Sequence, residues 1–149
     1  METTYVMVKP DGVARALTGK IISKFEKRGL QLVGLKMQVA PESLAKEHYI
    51  EHAARPFYGD LTKFLSSGPV VSAAFKGPNS IAVARQILGK TNHLQAELDS
   101  IRGTYALSTS NNCCHASDSP EAAKRELDLW FKQGDIIDYE NAVKQWVWQ

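Results

Sequence analysis

The stretch TYVMVKPDGVARALTGKIISKFEKRGLQLVGLKMQV, residues 4–39, sets the architecture. Thr4 to Val8 are mostly β-branched or aromatic and read as a strand. Pro10-Asp11-Gly12 then supplies turn chemistry, Pro early and Gly late, so Lys9 stands at a strand end. From Leu17 to Arg28, Ile21, Ile22 and Phe25 share one helical face, and Gly29 falls where a helix would stop. Val33, Leu35, Met37 and Val39 alternate with Gly34, Lys36 and Gln38, the period of two required by a strand with one buried face. A strand, an amphipathic helix and a second strand thus follow one another directly.

The same reading extends outward. Pro41 starts a helix carrying Leu44, His48 and Tyr49, and Phe57 to Ser66 form another short helix closed by Gly68-Pro69. Val70 to Phe75 read as a strand, and Ser80 to Leu88 as a helix through Ile81, Ala84 and Leu88. Gly89 to Gly103 show no period; a loop of this length in a compact domain is usually functional or mobile. Tyr105 and Leu107 predict a fourth strand ending before Asn111-Asn112. Ser119, Pro120 and Glu121 are a good helix start, with Ala123, Leu127 and Trp130 as the buried stripe. This order predicts an α+β fold: one domain over residues 1–149, built as a βαββαβ antiparallel sheet with its helices on one face. The tail from Lys132, with Ile136, Ile137, Tyr139, Val143, Trp146 and Trp148, is expected to dock on the domain or on a neighbouring subunit.

Composition narrows the function. Apolar residues make up 44% and charged residues 23%, average for a soluble domain. No run approaches the about 18 apolar residues of a membrane span. Met1-Glu2-Thr3-Thr4 lacks the basic start of a secretory signal, which predicts a cytoplasmic protein. The two cysteines, Cys113 and Cys114, are adjacent and cannot staple the fold, so reduced thiols are expected. A net charge of +2 without a dense Lys/Arg block argues against nucleic acid as a required partner and leaves room for a small anionic ligand.

An anionic phosphate ligand needs cations and fixed donors. Lys9, Arg85 and Arg102 each stand beside a turn or loop, although any of them alone would be an ordinary surface charge. Neither a P-loop nor a Gly-x-Gly-x-x-Gly helix start occurs, so side chains must hold the phosphates. Of the four histidines, His48, His52 and His93 read as helix-face or loop residues. His115 lies among small polar residues just before a helix, where side chains readily face a cleft, and a neutral imidazole can be both nucleophile and leaving group. Glu126, at the edge of the helical stripe, could reach back to orient it. Cys114 beside His115 invites a thiol or metal reading, but His48 and His52 lack a third ligand placed by sequence; no metal bound by side chains is expected.

At these residues the chain resembles the nucleoside diphosphate kinases over essentially its whole length. The resemblance is carried by Val8-Lys9-Pro10-Asp11-Gly12-Val13, His48-Tyr49 with Arg55-Pro56-Phe57, Ser67-Gly68-Pro69-Val70-Val71, Leu88-Gly89-Lys90-Thr91-Asn92, Ile101-Arg102-Gly103 and Asn112 to Ser119. It implies a ferredoxin-like fold and a ping-pong kinase. The γ-phosphoryl group of a nucleoside triphosphate would pass to a nucleoside diphosphate through a phosphohistidine on His115, with Mg2+ carried by the nucleotide phosphates.

By the same resemblance, Lys9 would bridge the sugar hydroxyl and the transferring phosphate and Asn112 would bind the sugar. Arg85, Thr91 and Arg102 would clamp the outer phosphates, Tyr49 would donate to the transferring group, and Phe57 would stack on the base. Glu126 and Ser117 would hold the imidazole. The tail resembles the longer form found in hexameric members, which implies a homo-hexamer. Two departures stand out: Ala116 where members usually have Gly, and His93 to Asp99 in place of a Pro-containing loop that helps assemble trimers. They predict a backbone that tolerates a Cβ at Ala116 with His115 slightly repositioned, and rebuilt subunit contacts.

The competing reading is a non-catalytic nucleotide- or RNA-binding module on the same sheet, which would need Tyr5, Phe75 or Tyr105 exposed as a stacking platform.

Overall fold

The computed structural model describes residues 1–148; Gln149, the last residue of the expected docked tail, lies outside the described residues. Four strands, β1 (Glu2–Val8), β2 (Gln31–Val39), β3 (Pro69–Gly77) and β4 (Cys114–Ala116), form one sheet in the order β2-β3-β1-β4. Every pairing is antiparallel. The helices are α1 (Pro10–Ala14), α2 (Thr18–Arg28), α3 (Glu42–His48), α4 (Tyr58–Leu65), α5 (Ser80–Leu88), α6 (Ile101–Tyr105), α7 (Pro120–Trp130) and α8 (Lys144–Val147). With α2 and α5 as the crossovers, this is the α+β, ferredoxin-like βαββαβ arrangement.

The helices cover both faces of the sheet rather than one, because β1 is apolar on both of its alternations. Val6 and Val8 join Ile21 and Phe25 of α2 and Ala84 and Leu88 of α5. Tyr5 and Met7 join Ala45 of α3, Leu65 of α4 and Trp130 of α7. Five consecutive buried residues, 4–8, thus carry a two-sided core.

The second strand forms where its period predicts, but three of the four apolar residues of its alternation point outward. Leu32 pairs with Phe75 and Gly34 with Ala74, so Val33 is an extra residue, a β-bulge. Val33 is buried, whereas Leu35, Met37 and Val39 are each about 60% exposed on this edge strand.

The expected strand at Tyr105 and Leu107 is not there. Ser100 caps a helix by accepting from the Gly103 N–H at 3.0 Å, Ile101–Tyr105 coil as α6, and Leu107 is 93% exposed. The fourth strand is Cys114–Ala116. At three residues it is too short for an alternation to be read, and it exists because β1 offers it an edge: Val6 pairs with Ala116 and Val8 with Cys114.

The tail docks on its own subunit through polar contacts. The Ile137 N–H donates to the Val33 carbonyl at 2.8 Å, the Tyr139 hydroxyl to the Leu32 carbonyl at 2.6 Å and the Trp148 indole to the Gly29 carbonyl at 2.8 Å. Trp146 stays 78% exposed, so its ring is not part of this docking.

Candidate active site

β1 ends at Val8, and Lys9 precedes the first turn of α1 with Pro10 at the helix start. The Lys9 N–H donates to the Cys113 carbonyl at 2.9 Å, and the Asp11 carboxylate accepts from the Cys113 N–H at 3.0 Å. This clamp holds Cys113 at φ 72°, the left-handed region that bends the chain into β4. Ala116 is not among the positive-φ residues; it is buried in β4 opposite Val6, so its Cβ is accommodated without left-handed backbone. The departure at this position leaves the strand intact.

His115 lies between Cys114 and Ala116 on β4, opposite Met7, with its side chain 23% exposed. Glu126 sits on the buried stripe of α7 with Ala123 and Trp130, and its Oε1 lies 3.0 Å from Nε2 of His115. The Ser117 hydroxyl donates to the same oxygen at 2.5 Å. Burial pushes the Glu126 carboxyl up, but the hydrogen bonds from His115 and Ser117 and the His115 charge outweigh it and hold the group at about 2. Ionised, Glu126 only accepts, so the ring donates from Nε2 and the Nδ1 lone pair is left for chemistry.

A cleft of about 650 Å³ opens in front of this histidine and brings together Lys9, Tyr49, Phe57, Arg85, Thr91, Arg102, Asn112 and Glu126 with it. Ser117 is buried behind the ring. Arg102 is 5% exposed and donates to the Cys114 carbonyl at 3.1 Å and the Gly89 carbonyl at 3.3 Å; burial lowers its guanidinium pKa. Arg85 donates to the Ala116 carbonyl at 3.1 Å. Lys9 is 7% exposed, and burial, then the Arg102 charge, pushes it down to about 8. Among the described residues none of the three cations has a carboxylate in ion-pair distance, so their charge is available to an anion.

Burial and then the Glu126 charge push the Tyr49 phenol up to about 12, so it stays a donor. Asn112 is 3% exposed; its amide donates to the Thr109 carbonyl at 2.9 Å, while its Oδ1 is buried without a partner. Phe57, 46% exposed, stands at the mouth with the His52 ring 5.5 Å away.

Two histidines read from sequence as ordinary helix-face residues also belong to this region. His52 lines the mouth, and His48 is 3% exposed, with its ring 4.7 Å from that of His115. A polar residue in register with Leu44 and Ala45 on α3 was the available signal for His48. His48, His115 and Glu126 bring ligand-type atoms within 4.8 Å of one another. Glu126 Oε1 is already taken by two donors and His48 Nδ1 by Trp130, so hydrogen bonds account for this cluster. The stacking platform required by the competing RNA-binding reading is absent: Tyr5 and Phe75 are fully buried and Tyr105 lies on α6.

An oriented histidine on a ferredoxin-like sheet, facing a cleft with three unneutralised cations, defines a phosphotransferase acting on phosphate-bearing ligands. Residues 2–136 match the family model described as nucleoside diphosphate kinase. The "Nucleoside diphosphate kinase" of Brevibacillus brevis is 48% identical over 99% of this chain and 100% of its own length, and that of Carboxydothermus hydrogenoformans is 48% identical over 100% of both. A solved nucleoside diphosphate kinase family protein from Babesia bovis superposes with a TM-score of 0.97 at 39% identity, covering 99% of this chain and 100% of that one. The Halobacterium salinarum enzyme, solved in complex with CDP, gives 0.96 at 39% identity, covering 99% of each chain. The chain belongs to the nucleoside diphosphate kinase family and is a phosphotransferase of nucleotides.

Proposed function

We propose that His115 carries the phosphoryl group through a ping-pong cycle. The Nδ1 lone pair attacks the γ-phosphorus of a nucleoside triphosphate. The bond from phosphorus to the β-phosphate oxygen breaks, and the diphosphate leaves with the electron pair. In the second half the terminal oxygen of an acceptor diphosphate attacks phosphohistidine and Nδ1 recovers its pair. The observation that carries this reading is Glu126 behind Nε2, with Ser117 on the same carboxylate oxygen, which leaves Nδ1 as the free nitrogen.

Lys9, Arg85 and Arg102 stabilise charge on the phosphate oxygens, aided by Thr91 and by the Tyr49 hydroxyl. Lys9 also reaches the sugar hydroxyl. Asn112 binds the sugar, for which its unpartnered Oδ1 is suited. Phe57 presents an apolar face to any base, so base identity matters little. The CDP complex of the Halobacterium salinarum relative supports a nucleotide as the ligand of this cleft.

The donor set fits Mg2+ arriving on the nucleotide: the inner groups are cations, and the rim carboxylates Glu51 and Asp118 make no carboxylate cage. Held by the nucleotide beside Lys9, Arg85 and Arg102, Mg2+ would add positive charge against the phosphate oxygens. The exposed apolar row Leu35, Met37 and Val39 on the edge of β2 supports a homo-oligomer, which we assign as a hexamer of single-domain subunits. No described helix is long and apolar enough to cross a membrane, and we assign the cytoplasm as the site of action.

The test is incubation with Mg2+ and a γ-labelled triphosphate. An acid-labile, base-stable phosphoenzyme is expected, and it should be lost in His115→Ala. Label persisting in the alanine variant, or never appearing in the parent, refutes the mechanism.

A further inference from the structure

His48 is a buried titratable group beside His115 to which the cycle just described gives no task. His48 ends α3 and is 3% exposed, and its Nδ1 lies 3.0 Å from the Trp130 indole nitrogen. An indole N–H can only donate, so Nδ1 must be the unprotonated acceptor. A neutral His48 therefore has its proton on Nε2. A doubly protonated His48 would break the bond and leave a buried indole donor unpaired.

The ring meets that of His115 edge to face, with centroids 4.7 Å apart and planes at 80°. One of its nitrogens lies within 4.8 Å of ligand-type atoms of both His115 and Glu126. The charged and titratable groups around it are His115 on β4, Glu126 and Arg125 on α7, Tyr5 on β1 with Lys9 after it, and the adjoining Tyr49. Burial first, then the His115 charge, holds its pKa well below the usual imidazole range. A cationic His48 would compete with His115 for Glu126 and repel any positive charge that developed on the nucleophile.

We propose that His48 is a positioning residue for His115, locked by Trp130 as the neutral Nε2–H tautomer, so that the His115–Glu126 pair is flanked by an uncharged imidazole with a fixed polar donor and never by a second imidazolium. This rests on His115 as the phosphoryl acceptor. It gives Trp130, a core residue outside the cleft lining, a consequence for the pH dependence of the chemistry.

The deciding measurement on the unmodified protein is 15N NMR of labelled histidines between about pH 5.5 and 8, where a free imidazole would titrate. His48 is expected to show one neutral tautomer, protonated on Nε2, throughout; a proton on Nδ1, or titration in this range, overturns the proposal. The kinetic arm uses His48→Gln, which keeps an untitratable donor, and His48→Phe, which keeps a ring without one. His48→Phe is expected to slow phosphoenzyme formation about fivefold to tenfold, on the order of the loss of one buried polar donor beside the His115–Glu126 pair, at unchanged nucleotide KM, with His48→Gln restoring most of the rate. In Trp130→Phe the acid limb of the rate should move up, because His48 Nδ1 loses the donor that keeps it unprotonated. Equal rates in the Gln and Phe variants, or an unmoved acid limb in folded Trp130→Phe, overturn it. Failure of the parent to form a phosphoenzyme refutes the His115 reading instead, and the tautomer of His48 is measured independently of that result.

Discussion

Lys9 is charged at a place where burial resists charge. Its folded pKa of about 8 lies below the ordinary lysine value of 10.5, so between these limits the folded state binds fewer protons than the unfolded one. Stability therefore rises with pH across that window, and below about 8 the fold carries the full penalty, on the order of 3 kcal/mol. Lys9→Met is expected to stabilise the protein by about 1–3 kcal/mol in denaturant unfolding at neutral pH while losing phosphoenzyme formation. The activity runs the other way from stability: kcat/KM of the parent should fall as pH rises through about 8 and Lys9 loses its charge, which a pH–rate profile on free enzyme checks. At the mouth, Phe57→Ala should raise KM for purine and pyrimidine nucleotides alike; a loss confined to one base would contradict stacking as the role of an exposed ring.

Among the elements, α6 is the one on which the cleft's deepest cation depends. Arg102 and Gly103 occupy its first turns, and a Cβ on Gly103 would collide with the Glu97 carbonyl oxygen. Gly103→Ala must therefore push away the loop leading into the helix or displace α6 itself, and Arg102 moves with it. An increase in nucleotide KM of about tenfold is expected, one charge-assisted hydrogen bond's worth, with the melting temperature reporting any wider damage. The tripeptide Ile101-Arg102-Gly103 was legible in the sequence as part of a family motif, but its helical state was not. Tyr105 and Leu107 show a strand-like alternation over only a few residues, and it is outweighed by the Ser100 cap that starts the helix. The α7 start, by contrast, is legible in Ser119 and Pro120, and the Ser119 hydroxyl accepts from the Ala122 N–H at 3.0 Å.

For the whole molecule, the sheet leaves β2 as an edge with three large apolar side chains in solvent. Met37→Lys places a charge in the middle of that row and is expected to shift the proposed homo-oligomer to smaller species in light scattering coupled to size exclusion, with the fold retained. An unchanged mass would remove this edge from the subunit contacts. The tail seals the other end of β2 through Ile137 and Tyr139, so the exposed row is what is left for a partner.

Local periodicity was sufficient for the helices α2, α5 and α7 and for β1 and β3, because each is encoded by neighbours within a few residues; it put His115 ahead of the α7 start but after a strand at Tyr105 and Leu107 that does not form, and His115 is instead the middle residue of β4. The cations of the site were nameable from their short motifs. Tertiary structure alone decided that Val33 bulges and turns its strand's apolar row outward, that three residues around His115 become a strand, and that His48 is buried beside the nucleophile. The reason is distance along the chain. The Trp130 indole and His48 are 82 residues apart, and the Asp11 clamp on Cys113 spans 102. Such contacts form only after the sheet has brought α3, α7 and the end of β1 together, and no period in the sequence records them.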